Sequence, residues 1–142
     1  ALAISAAIFG ALHAFNPGAS VISSVAIALE AGVLLAATYV YTRRLWMVIG
    51  LHAAWNFSEG GVFGASVSGH SANGLLSTRL HGPDLLTGAG FGPEASVVAV
   101  LVCLGAAVFF IALAIGKGGI VEPFWRRPGP PSCMAGCAPL AR

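Results

Sequence analysis

Charge is what this sequence has least of. Only 8% of its 142 residues are charged and 57% are hydrophobic, whereas an ordinary soluble domain is about 25% charged. So few polar side chains cannot cover a water-facing surface, which excludes a disordered chain, a coiled coil and an ordinary cytosolic globule. The net charge is +2, with seven Lys and Arg. No basic stripe exists to neutralise phosphates, so nucleic acid is excluded as a partner. Cysteine is also scarce, at three residues. Cys103 lies in an apolar run and reads as a small buried hydrophobe. Cys133 and Cys137 form a lone C-x3-C in a Pro-rich tail, whereas zinc takes four ligands, usually in paired sets. No basic segment precedes the first apolar run, so the start does not read as a signal peptide. It opens at Ala1 rather than Met and reads as a fragment.

What is present is long, uncharged and apolar. The mean hydropathy is +0.87. This implies an all-α, polytopic transmembrane bundle of about four helices, the C-terminal part of a larger bundle. Residues 1–116 form the bundle, and 117–142 form a cytoplasmic tail expected to be disordered. Asn16-Pro17-Gly18 interrupts the first uncharged run, because the residue before Pro is pushed out of the helical region. The expected helices are about 1–15, 19–42 and 45–65. A Gly/Ser-rich connection over 66–92 follows, functional or mobile by its length. Pro93 and Glu94 are expected to open the last helix, where a carboxylate complements the helix dipole. Ala95 to Gly116 then run without a charge, about 33 Å of helix. Arg43-Arg44 and Arg126-Arg127 are separated by two spans, so both pairs lie on one side. The positive-inside rule makes that side, and the C-terminus, cytoplasmic. Arg79 is the one basic residue that disagrees.

Ionisable groups inside spans are expensive and mark functional sites by default. His13, Glu30, His52 and Glu59 qualify, with Asn56 as a buried amide. Phe9 and His13 are four apart and share a helix face, as do His52 and Asn56. Glu59, seven beyond His52, is expected on that same face. Imidazole can exchange a proton near neutral pH, an amide can donate to an oxyanion and a carboxylate can activate water. Each also has a plainer reading. A single His or Asn can be interhelical glue, Glu30 can pair with a neighbouring helix and Glu59 can mark a helix end. His70 and His81 read as solvated. Trp46, Trp55 and Trp125 read as anchors or packing residues.

Ile8-Phe9-Gly10-Ala11-Leu12-His13 resembles the F-x-x-x-H motif of the CPBP family, the CAAX proteases and bacteriocin-processing enzymes. Gly50-Leu51-His52-Ala53-Ala54-Trp55-Asn56-Phe57 resembles its H-x-x-x-N motif, one span later. Leu86 to Glu94 is similar to a segment common before the last helix of bacterial members. The resemblance covers roughly 1–116. It implies an intramembrane endopeptidase in a bacterial cell membrane, acting on membrane-associated peptides or proteins. His13 and His52 would assist the site, Asn56 would help stabilise the oxyanion and Phe9 would pack beside them. In the family, a glutamate from an upstream E-E-x-x-x-R helix activates water. No Glu-Glu pair occurs in this chain. The expectation is therefore a fragment without its catalytic helix, inactive alone. No cofactor is expected. Zinc is the alternative, although no H-E-x-x-H set is present and Asn is a poor zinc ligand. The competing functions are a non-catalytic membrane immunity or regulatory protein, and a proton-relay or transport component using His13, Glu30 and His52.

Overall fold

The computed structural model describes residues 1–121 and Arg126. The expectations for Trp125, Arg127, Cys133, Cys137 and the tail therefore lie outside the described residues. The described part is all-α, with five helices and no strand. α1 is Leu2–His13. α2 is Val21–Thr42, and α3 is Leu45–Asn56, which continues into a π-helical turn, Phe57–Val62. α4 is the short Asp84–Thr87, and α5 is Val97–Gly116.

The punctuation follows from local chemistry. The Asn-Pro-Gly break separates α1 from α2. Ser20 then caps α2 reciprocally: its Oγ accepts from the Ser23 amide at 3.0 Å, and its own amide donates to Ser23 Oγ at 2.8 Å. This satisfies two amides that the first helical turn would otherwise leave orphaned. α2 stops where Arg43 turns left-handed (φ 53°) and donates its amide to Tyr39 O. Midway along it, Ala28–Gly32 form a π-helical turn.

α2 is the central helix. Against α1 it packs through small residues. A Cβ on Gly32 would lie 2.9 Å from Ala6 Cα, and one on Gly10 would collide with the Ser24 carbonyl. Small residues four apart on both helices let the backbones meet, the usual way helices associate in lipid. Against α5 it forms the core cluster of Leu34, Ala37, Cys103 and Ala107. Leu101, Val108, Phe109 and Ile115 on the far side of α5 are exposed. So broad an apolar surface suits contact with lipid. α2 and α5 are each long and apolar enough to cross a membrane. Fewer helices meet that test than the four expected: α1 has only 12 residues, and His52, Asn56 and Glu59 dilute α3.

The basic end is tied together. Arg43 donates to Gly119 O at 2.7 Å, and Lys117 donates to Tyr41 Oη at 2.8 Å. α2 and α5 therefore finish side by side, next to Arg44. At the opposite end, the connection over residues 63–92 is pinned at several points as a cap rather than left as a loose loop. Asn16 Nδ2 donates to Ser68 O at 3.0 Å, Gly69 donates to Phe91 O at 2.7 Å and Phe91 is buried.

One expected helix start moves. Pro93–Ala95 form a separate 3-10 turn. The N-cap of α5 is Ser96, whose Oγ accepts from the Ala99 amide at 3.2 Å. Ser96 has an extended backbone (ψ 150°), which breaks the chain direction and turns Glu94 inward, away from the first turn of α5.

Candidate functional site

α1 and α3 each bring one histidine to the interior beside α2. Phe9 stands between them, its ring centroid 4.6 Å from that of His13 and 5.5 Å from that of His52, edge-on to the latter. The F-x-x-x-H spacing explains the first contact, since residues four apart lie one above the other on a helix. Both imidazoles line one small cavity with Phe9, Glu30, Trp55, Ser68 and Glu94. Its volume is about 20 Å³, room for a single water molecule.

Hydrogen bonds fix how each ring faces. His13 Nδ1 lies 2.7 Å from Phe9 O. A carbonyl only accepts, so Nδ1 carries a proton and Nε2 remains for other partners. Asn56 Nδ2 lies 3.4 Å from His52 Nε2. The amide nitrogen only donates, so Nε2 of His52 accepts this long bond and Nδ1 carries the proton. Asn56 Oδ1 is buried without a partner. Asn56 is not on the cavity wall and reaches the site through His52.

Three carboxyl groups enter the interior. Glu30 is 2% exposed. Its Oε1 accepts from Cys103 Sγ at 3.6 Å, and its Oε2 has no hydrogen-bond partner. Glu94 is also buried, and its Oε2 accepts from both the amide and the hydroxyl of Ser68 at 2.7 Å. Glu59 Oε2 accepts from Trp55 Nε1 at 3.1 Å. Contrary to the spacing argument, Glu59 does not share the cavity with His52. The π-turn Phe57–Val62 takes over after Asn56, its i→i+5 bonding shifts the register, and Glu59 lines an apolar groove between α3 and α5 instead. Glu30 occupies the other π-turn. Trp55 and Cys103 do more than pack: each donates to a buried glutamate.

Sequence reasoning missed Glu94 and Ser68. For Glu94 the signal was available: the chain has only five acidic residues, and a carboxylate next to the longest apolar run is costly enough to ask about. Ser68 gave none. His70 and His81 are exposed, as expected. No cluster of three or more His, Cys, Asp or Glu that could hold a metal ion occurs among the described residues.

Long apolar helices, a lipid-like exterior and polar groups gathered inside define an integral membrane protein of helical-bundle type. Residues 1–58 match the family model described as type II CAAX prenyl endopeptidase Rce1-like, and this segment is an Rce1-like (CPBP) domain. The family implies a CAAX-type membrane endopeptidase with protein substrates. No curated protein and no solved structure matches the chain.

Proposed function

We propose that the protein is an intramembrane endopeptidase that hydrolyses peptide bonds of membrane-associated substrates with glutamate-activated water. The reading rests chiefly on one observation: His13 and His52, from separate helices of the Rce1-like segment, flank Phe9 on the wall of one water-sized cavity. The water gives a proton to the activating glutamate while its oxygen bonds to the scissile carbonyl carbon. The resulting oxyanion is met by His52, which the Asn56 amide holds in place. The C–N bond then breaks, and the stored proton passes to the leaving nitrogen, leaving an acid and an amine.

The sequence contains no E-E-x-x-x-R segment. In this reading the activating glutamate stands on a helix outside these 142 residues, and the segment alone is inactive. Residues 1–116 form the C-terminal part of the peptidase bundle. The basic end, with Arg43, Arg44 and Lys117, faces the cytoplasm of a bacterial cell. The chemistry is metal-free.

The test uses the protein expressed from its complete reading frame, in lipid, with a membrane-anchored peptide. His52→Ala and Asn56→Ala should each lower cleavage by about 100-fold or more while insertion is unchanged. A proton relay would instead tolerate Asn56→Ala, and an immunity protein would show no cleavage at all.

A further inference from the structure

The peptidase reading uses two histidines and an amide, and it leaves Glu30 unexplained. Glu30 sits on the π-turn Ala28–Gly32 in the middle of α2, almost wholly buried. One of its oxygens is engaged by the Cys103 thiol. The other, Oε2, is sealed from solvent and has no partner among the described residues. An unsatisfied buried oxygen is destabilising, so its place beside a cavity needs a cause. Glu30 lines the same cavity as His13 and His52, and the space is the size of one water. A water needs two to four polar partners. The wall includes the Glu30 side chain, whose Oε2 is the unpartnered acceptor, and the rings of His13 and His52.

We propose that Glu30 is a water-positioning residue: its Oε2 accepts a hydrogen bond from a water lodged between the two imidazoles, and that water is the one consumed in peptide hydrolysis. The proposal rests on the peptidase reading and adds a residue that lies in neither sequence motif. The π-turn is part of the device, since such turns re-aim side chains at functional sites.

Two substitutions separate positioning from packing. Glu30→Gln keeps an acceptor oxygen at nearly the same place. Glu30→Leu keeps the bulk and removes every acceptor. A purely structural Glu30 predicts that Leu is neutral or stabilising and fully active, because removing an unsatisfied buried polar group relieves its cost. A water-holding Glu30 predicts a folded Leu variant with kcat down about 100-fold, the penalty of a misplaced reactant, and KM unchanged. Gln should restore kcat to within about tenfold of wild type, a loss of one charge-assisted contact.

The protein is expressed from its complete reading frame, and thermal unfolding is followed beside steady-state cleavage. Wild-type kcat in a folded Glu30→Leu protein overturns the proposal. So does loss of activity in Glu30→Gln equal to that in Leu, which would mean that Glu30 moves a proton rather than holds a water. Should Leu fail to fold, the Gln variant decides through a high-resolution structure: a water bonded to residue 30 in the cavity supports positioning, and a dry cavity refutes it. His52→Ala, assayed in parallel, reports on the peptidase reading itself. If it cleaves normally, that reading fails whatever Glu30 does.

Discussion

Replacing Glu94 with Ala should unfasten the cap that closes the cavity. Glu94 Oε2 holds both the amide and the hydroxyl of Ser68 at 2.7 Å, and Ser68 and Glu94 both form cavity wall. A hydrogen bond to a carboxylate is worth about 1.5–3 kcal/mol, and a neutral one about 0.5–1.5 kcal/mol. The two bonds share one acceptor oxygen, so their energies do not simply add. A joint loss of about 2–3 kcal/mol in local stability is the reasonable value. At about 1.4 kcal/mol per tenfold, the Ser68 amide should then exchange its hydrogen about 30- to 150-fold faster.

Asn16 to Ser68 O and Gly69 to Phe91 O remain, so the cap should loosen and stay attached. The assay is hydrogen exchange by mass spectrometry on the protein in lipid nanodiscs, read on peptides spanning residues 66–70. Glu94→Gln is the control, since it keeps an oxygen that can accept both bonds and should change exchange by less than about tenfold. Exchange in Glu94→Ala equal to wild type would refute the claim that Glu94 fastens the cap. Equal acceleration in Gln and Ala would show that something other than accepting these bonds is at work.

Further outcomes follow from particular contacts. Gly32→Leu should lower stability by about 1–3 kcal/mol or more, because even a Cβ there would press on Ala6 Cα at 2.9 Å. Gly105→Ala, with nothing within 4 Å of its Cβ, should leave the thermal midpoint unchanged or raised, and thermal unfolding in detergent compares the two. In the peptidase assay, His52→Ala should lower kcat by about 100-fold or more, and Asn56→Ala by about 100- to 1000-fold, with membrane insertion intact by carbonate extraction. Cleavage should survive thorough chelation; a loss that only zinc restores would establish a metal enzyme.

The sequence exposed most of the fold because its strongest signals are long and local. The Asn16-Pro17-Gly18 break and the Arg43-Arg44 boundary each rest on a few adjacent residues, and the uncharged run of α5 on one continuous stretch, all with strong backbone or solvation preferences. What it hid depends on long-range closure. The 63–92 connection looks loose by composition, yet it is held by bonds such as Asn16 to Ser68 and Thr78 Oγ1 to Phe63 O, whose partners no local pattern selects. The start of α5 was misplaced for a smaller reason. Pro93 and Ser96 are both good helix openers, and only the extended backbone at Ser96 decides between them.

The site divides along the same line. His13 with Phe9, and His52 with Asn56, were legible because i,i+4 pairs on an α-helix face together, and in both pairs the intervening turn is regular. The buried glutamates were not, because both Glu30 and Glu59 occupy π-turns. A π-turn adds one residue to the ring that each hydrogen bond closes, so projection at 3.6 residues per turn loses register there. That projection put Glu59 with His52, whereas the fold hands Glu59 to Trp55. It gave no facing for Glu30, which lines the cavity of the two histidines together with Glu94. Glu94 arrives from a third direction, from beyond the cap. Two different rules thus assemble one polar interior: regular helix spacing sets the imidazoles, and local departures from it steer the acids. In a chain with so few charges, a carboxylate on an apolar helix is therefore best assigned by the cost of burying it, with its facing left to the fold.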